Sequence, residues 1–251
     1  MVKVRFAPSP TGYLHLGNGR AAIFNYLFAK QNKGQFILRI DDTDKERSTF
    51  EYEVAIKEDL KWLNIEYDKE FKQSYRIQIY EDMFNKLVSM GYIYPCYETM
   101  EELDKMRKVQ LSAGNPPVYN RNSLSLSEDE KQKLKMEGRI PYWRFKLSGN
   151  KIKFADLIHK EIEFDLNSVS DPVVKKTDGG FTYTFASCVD DIDLGITHII
   201  RGEDHVSNTA SQIEILNAIK PDNNMQFAHY PLINFEDRGK MSKRLNDLSL
   251  R

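Results

Sequence analysis

The sequence has only two cysteines, Cys96 and Cys188, and they stand far apart in the chain. So few thiols exclude both a disulfide framework and a four-cysteine zinc site. No apolar run approaches the roughly eighteen residues of a membrane-crossing helix, so no span is expected. The first residues, Met1-Val2-Lys3-Val4-Arg5-Phe6, lack the unbroken apolar stretch of a secretory signal and read instead as a first strand. An excess of either charge is also missing: 36 Lys plus Arg face 37 Asp plus Glu, a formal net charge of −1. This excludes the basic footprint of a dedicated nucleic-acid-binding domain, so any RNA contact must use local patches. Internal repeats and low-complexity tracts are absent. What the chain does have is 251 residues, 41% of them hydrophobic, with 14 Phe and 13 Tyr. That is enough to bury a sizeable core and to exclude disorder as the main state. The length fits one large α/β domain or a catalytic domain carrying an insertion. A cytoplasmic enzyme is the default expectation.

Residues 2–7 are β-prone, and Pro8-Ser9-Pro10-Thr11-Gly12 then force a loop. A helical pattern runs from Gly17 to about Gln31, with Ala21, Phe24 and Phe28 as its apolar stripe. Phe36 to Ile40 reads as a buried strand. Ser48 with Glu51 forms a capping-box pattern that opens a helix carrying Ile56, Leu60 and Leu63. Strand, helix, strand, helix in this order predicts a parallel sheet. A further helix places Tyr80, Phe84, Leu87 and Val88 on one face. Beyond it the character changes. Thr99 with Glu102 and Ser127 with Glu130 open two short charged helices, and short strands follow at Trp143–Leu147, Ile152–Leu157 and Glu161–Phe164. A buried-strand pattern returns at residues 195–200, followed by a helix with Val206, Ala210 and Ile213 and a strand near 228–235. The expected architecture is α/β: a Rossmann-type parallel sheet in two halves, residues 1–85 and 185–235, split by an inserted mixed α+β block, 86–184. Residues 236–251 hold a basic loop and the start of a next region.

Two constellations carry chemistry. Pro8 to Asn18, with His15, Gly17 and Asn18, lies between the first strand and the first helix. Free N–H groups and the positive helix end make such a turn an anion site. A rigid loop with a structural histidine is the plain alternative. Gly239-Lys240-Met241-Ser242-Lys243-Arg244 crowds cations onto one loop, which suits a polyphosphate or simply water.

Together, His15-Leu16-Gly17-Asn18 after the first strand and Lys240-Met241-Ser242-Lys243-Arg244 after the last resemble the signature pair of class I aminoacyl-tRNA synthetases. The text between them narrows the resemblance to glutamyl-tRNA synthetases across the whole chain: Arg5 to Gly12, Arg39-Ile40-Asp41-Asp42-Thr43-Asp44, Val189-Asp190-Asp191 and Arg201-Gly202-Glu203-Asp204-His205. The resemblance implies ATP-dependent activation of L-glutamate and transfer to the 3′ end of tRNA(Glu), with tRNA(Gln) left open as a second acceptor. It implies that His15, Gly17, Asn18, Lys240 and Lys243 meet ATP, and that His15, Asn18, Lys240 and Lys243 act in catalysis, Lys243 foremost. Magnesium is expected to accompany ATP. Glutamate would be held by Arg5 (side-chain carboxylate), Arg201 (α-carboxylate), Ala7, Tyr183 and Ser187, with Ser9 and Asp41 at its amino group. Guanidinium is the natural reader of a carboxylate. Arg39 is expected to pair with the Asp42–Asp44 turn. Asp190 and Asp191 are either functional or helix caps, His205 is a core or capping histidine, and His159, His198 and His229 are taken as structural.

Asp41 stands where the family usually has Glu, and Ser187 where it commonly has Asn, so both contacts are shorter. Some relatives bind zinc in the insertion through Cys-x-Cys and a later Cys. Here Cys96-Tyr97-Glu98 and Tyr119-Asn120-Arg121-Asn122 offer too few thiolates, and no metal site is expected. The insertion would bind the tRNA acceptor end, and monomer is the default state. Family members continue past the basic loop into anticodon-reading domains, so the chain reads as the catalytic core of such an enzyme. Two alternatives are a glutamyl-queuosine tRNA(Asp) synthetase, which is naturally short, and a non-catalytic tRNA- or glutamate-binding relative.

Overall fold

A computed structural model of the chain describes residues 1–235, 239, 240 and 250. The first half alternates strands β1 (Lys3–Phe6), β2 (Gln35–Ile40) and β3 (Lys69–Lys72) with helices α1 (Leu16–Gln31) and α2 (Phe50–Trp62). The strands pair in parallel, with Val4 opposite Phe36 and Leu38 opposite Glu70. β2 is buried along five of its six residues, as a strand covered on both faces must be. The predicted stripe of α1 is not its buried face. Gly19, Ala22, Asn25 and Ala29 face the core while Phe24 stays 40% exposed, because small residues let the helix approach the sheet closely. The cap of α2 also shifts by one residue: Thr49, not Ser48, accepts the Tyr52 amide.

Helix α3 (Ile77–Ser89) buries Tyr80, Phe84 and Leu87 as the spacing predicts. Strand β4 (Ile93–Cys96), helices α4 (Met100–Ser112) and α5 (Glu128–Met136), and strand β5 (Tyr142–Phe145) follow. Neither α4 nor α5 buries a residue, and each begins with the complete capping box expected from Thr99/Glu102 and Ser127/Glu130. A hairpin comes next, β6 (Lys151–Asp156) and β7 (Lys160–Asp165), then β8 (Val173–Lys175), which lines up with β5 and β4 in a small antiparallel sheet. Helix α6 (Tyr183–Asp193), strand β9 (His198–Gly202), helix α7 (Val206–Ile219) and strand β10 (Gln226–Tyr230) form the second half, followed by a two-residue pair, β11 (Asn234–Phe235) and β12 (Gly239–Lys240). β9 and β10 are parallel. β6 and β7, which fall within the 86–184 block drawn from the sequence, extend this second sheet in the order β7-β6-β10-β9. Among the described residues no helix is long and apolar enough to cross a membrane.

The halves meet along β1 and β9. Lys3 donates its amide to Thr197 Oγ1 at 2.9 Å and accepts the Thr197 amide at 2.8 Å. Ile200, Ala228 and Tyr230 join Val4, Phe6, Leu38 and Ile40 in one hydrophobic cluster.

Across this junction lies a buried lattice of charge. Asp191 takes Arg5 Nε at 3.0 Å and Arg39 Nη1 at 2.7 Å. Arg39, 0% exposed, also grips Asp41 through Nε and Nη2, at 2.7 and 3.1 Å. Asp190 receives Arg76 Nε at 2.7 Å, Gln73 Nε2 at 2.9 Å and the Tyr80 hydroxyl. The expected pairing of Arg39 with the Asp42–Asp44 turn is therefore replaced by contacts to Asp41, Asp191 and, at 3.7 Å, Asp190. Nor do Asp190 and Asp191 cap a helix: both lie inside α6 and serve as anchors for arginines from the other half. Burial opposes the charge on Asp191, but Arg5 and Arg39 outweigh it and hold the carboxyl below its usual range.

Removing one partner from such a lattice leaves buried charge uncompensated, which costs more than the pair itself contributes. Arg39→Ala is expected to destabilise the fold by about 3–5 kcal/mol in urea unfolding. A loss under about 1 kcal/mol would show that water enters and solvates the three carboxylates.

Candidate active site

A cleft of about 460 Å³ opens over the carboxyl ends of β1 and β9. This is the switch-point position where doubly wound sheets bind ligands. Its walls bring together Arg5 and Ala7 from the end of β1, His15, Gly17 and Asn18 from the start of α1, Tyr183 from the start of α6, and Arg201 from β9.

The turn into α1 is built by its own side chains. His15 Nδ1 accepts the Gly17 amide at 3.1 Å, and Asn18 Oδ1 accepts the His15 amide at 3.2 Å, a reciprocal capping box. Accepting through Nδ1 leaves the ring proton of neutral His15 on Nε2. A Cβ on Gly17 would fall 2.9 Å from the His15 ring, so glycine is needed for the cap to close. The first turn of α1 has no acidic residue of its own to offset its positive end. The plain and the functional readings of His15 and Asn18 thus meet in one geometry: both cap the helix and both line the cleft.

Arg5 and Arg201 are held in opposite ways. Arg5 spends Nε and Nη2 on the carboxylate of Asp191. Arg201 makes no ion pair among the described residues. Its Nη2 donates to Thr209 Oγ1 at 2.6 Å and Gln212 Oε1 at 2.5 Å, and its Nε to His229 Nε2 at 3.3 Å, all neutral acceptors. Its Nη1 is buried and has no partner among the described residues. Burial without a carboxylate lowers the Arg201 pKa, with the Arg5 charge adding to the effect. An anion delivered to Nη1 would relieve both penalties.

Other predicted residues stand away from the cleft wall. Ser9 is exposed in the loop. Asp41 is turned inward onto Arg39. Ser187 is 1% exposed and accepts Gln212 Nε2 at 3.3 Å, behind Arg201. Lys240 is described only as part of the β11–β12 pair, and Lys243 lies outside the described residues. The Leu250 amide donates to Leu14 O at 3.0 Å, which returns the chain to the foot of the His15 turn.

The walls also hold Arg20, Asn25 and Tyr230, which the sequence reading passed over, and Asp204 and His205, which it quoted without a site role. Helical spacing could have found two of them, since Arg20 and Asn25 share the cleft-facing side of α1 with Gly17 and Ala21. The Arg20 guanidinium sits 4.5 Å over the Tyr230 ring, an aromatic pairing across the cleft that no local pattern announces. His205, weighed as a core or capping residue, stands at the N-cap position of α7 without a side-chain cap bond and lines the cleft, and burial beside Arg201 pushes it down to about 4. In the insertion, Glu98 gathers the hydroxyls of Tyr119 at 2.7 Å, Ser123 at 2.9 Å and Tyr142 at 3.1 Å, with Cys96 Sγ 3.5 Å from Tyr119. This carboxylate and its hydroxyls occupy the stretch where the resemblance would place a zinc-binding cluster.

The whole chain, residues 1–251, matches the family described as tRNA synthetases class I (E and Q), catalytic domain. It is 51% identical over 250 residues to Glutamate--tRNA ligase 1 of Maricaulis maris (strain MCS10), covering 100% of this chain and 56% of that protein. Against Glutamate--tRNA ligase 2 of Gluconobacter oxydans (strain 621H) it is 48% identical over 252 residues, with 100% and 56% covered. The chain spans about half the length of the curated relatives it matches. A crystal structure of a glutamate tRNA ligase from Elizabethkingia meningosepticum CCUG26117 in complex with its amino acid superimposes with a TM-score of 0.89 at 38% identity, covering 98% of this chain and 52% of that one.

Asp41 supplies a pH test. Burial pushes its carboxyl up to about 6 against the pull of Arg39, from an ordinary value of 3.8. A folded pKa above the unfolded one stabilises fully below the unfolded value, and the contribution is lost as pH rises through the folded value. The urea midpoint of Asp41→Asn is therefore expected to gain on that of the parent between about pH 4.5 and about pH 7. An equal gap at both would show Asp41 charged throughout.

Proposed function

The chain belongs to the class I tRNA synthetase (E and Q) catalytic-domain family, and from that premise we propose that it activates L-glutamate with ATP and passes the glutamyl group to the 3′ end of tRNA(Glu). One observation of the fold supports the amino-acid reading most directly. Arg201, a residue of the cleft wall, has a buried Nη1 without a partner among the described residues, while its other guanidinium nitrogens are held by neutral groups.

Glutamate brings two carboxylates, and of the three arginines in the cleft wall Arg20 is stacked on Tyr230, which leaves Arg5 and Arg201 for them. Arg201 would take the α-carboxylate. Arg5, steadied by Asp191, would offer Nη1 to the side-chain carboxylate. Tyr183, the first residue of α6, lines the same cleft and would hydrogen-bond the substrate, with Ala7 also in the cleft wall. Ser9 and Asp41 remain our assignment for the amino group, and Ser187 supports Gln212 behind Arg201. The triphosphate would lie across the start of α1, where free amides and the helix dipole favour negative charge. His15, Gly17 and Asn18 form that mouth, and Lys240 and Lys243 are assigned to closing over the phosphates. Magnesium bound with ATP would neutralise phosphate charge.

The chemistry is an in-line displacement. A glutamate α-carboxylate oxygen attacks the α-phosphorus, pyrophosphate leaves, and glutamyl-adenylate forms. A terminal tRNA hydroxyl then attacks the acyl carbon and AMP leaves. Positioning and charge stabilisation carry most of such catalysis. Residues 86–184, with the exposed helices α4 and α5, are our candidate for the acceptor-end contact, and tRNA(Gln) is the second acceptor to assay.

Glutamate-dependent ATP–pyrophosphate exchange tests the reading. Exchange is expected with tRNA(Glu) present, and Lys243→Ala is expected to lower it roughly 10²–10³-fold. Exchange that proceeds equally well without tRNA would favour the glutamyl-queuosine alternative. A second check is glutamate affinity in Arg201→Ala, expected to fall by about 10²-fold or more, as for loss of a charge-assisted bond to a buried carboxylate.

A further inference from the structure

Behind Arg201 stands a pair of residues that are not part of the cleft wall. Asp156 ends β6 and is 4% exposed; His229 lies in β10 and is fully buried. Asp156 Oδ1 accepts three backbone amides, from Ile158 and His159 at 2.9 Å each and from His229 at 3.4 Å. Its other oxygen, Oδ2, is left for His229 Nδ1, 2.6 Å away. A carboxylate only accepts, so the neutral ring carries its proton on Nδ1 and turns a lone pair on Nε2 toward Arg201 Nε at 3.3 Å and Thr209 Oγ1 at 2.9 Å.

We propose that Asp156 and His229 are positioning residues for substrate recognition: Asp156 sets the ring tautomer, and the His229 lone pair holds the Nε edge of Arg201, a cleft residue, so that Nη1 is left for the substrate. The inference rests on the reading of Arg201 as the carboxylate-binding residue. Its physical sense lies in charge. A carboxylate placed directly on Arg201, as Asp191 is on Arg5, would neutralise the cation that must attract substrate. An imidazole interposed between them transmits orientation while it keeps the negative charge one ring away. The arrangement also ties β6, contributed by the middle of the chain, to the cleft. β6 meets β10 in register at Asp156 and Phe227, two residues before His229.

Asp156→Asn separates this role from a merely structural one. Three amides fix the Oδ1 position as an acceptor, so the asparagine oxygen must stay there and its NH2 must face His229. The turn and the shape are kept. The ring must then carry its proton on Nε2, where it opposes the Nε–H of Arg201. The experiment is ¹⁵N NMR of the His229 ring in the full chain, together with equilibrium titration of glutamate and, separately, of ATP. In the variant we expect the proton to move from Nδ1 to Nε2, the glutamate dissociation constant to rise about ten- to a hundredfold, and the ATP constant to hold. A proton that stays on Nδ1 overturns the proposal. So does a shifted proton with unaltered glutamate binding, provided that Arg201→Ala abolishes binding. Unaltered binding in Arg201→Ala would instead overturn the reading of Arg201 itself, a distinct outcome. Should Asp156→Asn fail to fold, His229→Gln and His229→Leu decide the matter. Glutamine can offer Oε1 at the acceptor position and should weaken glutamate binding less than leucine; equal losses would overturn the relay.

Discussion

The fold depends on one arrangement of charge: the guanidinium of Arg39, without exposed surface, set between Asp41, Asp190 and Asp191. Arg39 comes from β2 in the first half of the sheet, and Asp190 and Asp191 come from α6 in the second. Burial of an unpaired ion costs several kcal/mol, so these groups tolerate only the packing in which all of them meet. Arg5 and Arg76 complete the balance at either side of α6. Hydrophobic contact along β1 and β9 brings the halves together without choosing a register. The charge lattice chooses it, since a shift of one residue would strand a carboxylate in the core.

From this register follows the division of labour in the cleft. Asp191 anchors Arg5 and thereby sets one cation at the mouth with part of its charge spent. Arg201 is left with neutral partners alone, and its charge is spent on nothing the described chain provides. A protein can hold a cation in that state only by surrounding it with well-placed acceptors, and Thr209, Gln212 and His229 are those acceptors. The cap at His15 works by the same economy of local bonds: ring and amide close the helix start, and the remaining polarity faces the cleft.

Much of this was legible in the residues. The strand–helix alternation, the two capping boxes at Thr99 and Ser127, the Tyr80 face of α3 and the cluster of His15, Gly17 and Asn18 at a helix start all follow from spacing and side-chain chemistry within a few residues. Where the reading departed from the structure, the deciding contact came from far away. The face of α1 turned because small residues pack closest to a sheet, whatever the hydrophobic stripe suggests. Arg39 pairs with Asp41, two residues on, and with Asp191, 152 residues away, rather than with the Asp42–Asp44 turn. Asp190 and Asp191 looked like caps because aspartates commonly cap, and only the approach of β2 and α3 made them anchors.

By itself, then, the sequence determined the order of elements, the chemistry of the self-capped turn into α1, and the family, whose motifs are short and local. Tertiary structure alone decided which arginine would be paired with a carboxylate and which left with neutral partners among the described residues. That choice depends on whether a carboxylate or a hydroxyl lies within about 3 Å of each guanidinium nitrogen. It also decided that His229, with nothing around it in sequence to mark it, stands between Asp156 and Arg201. Distances between residues separated by 28 and 73 positions are set by how strands stack side by side, and no local pattern carries them.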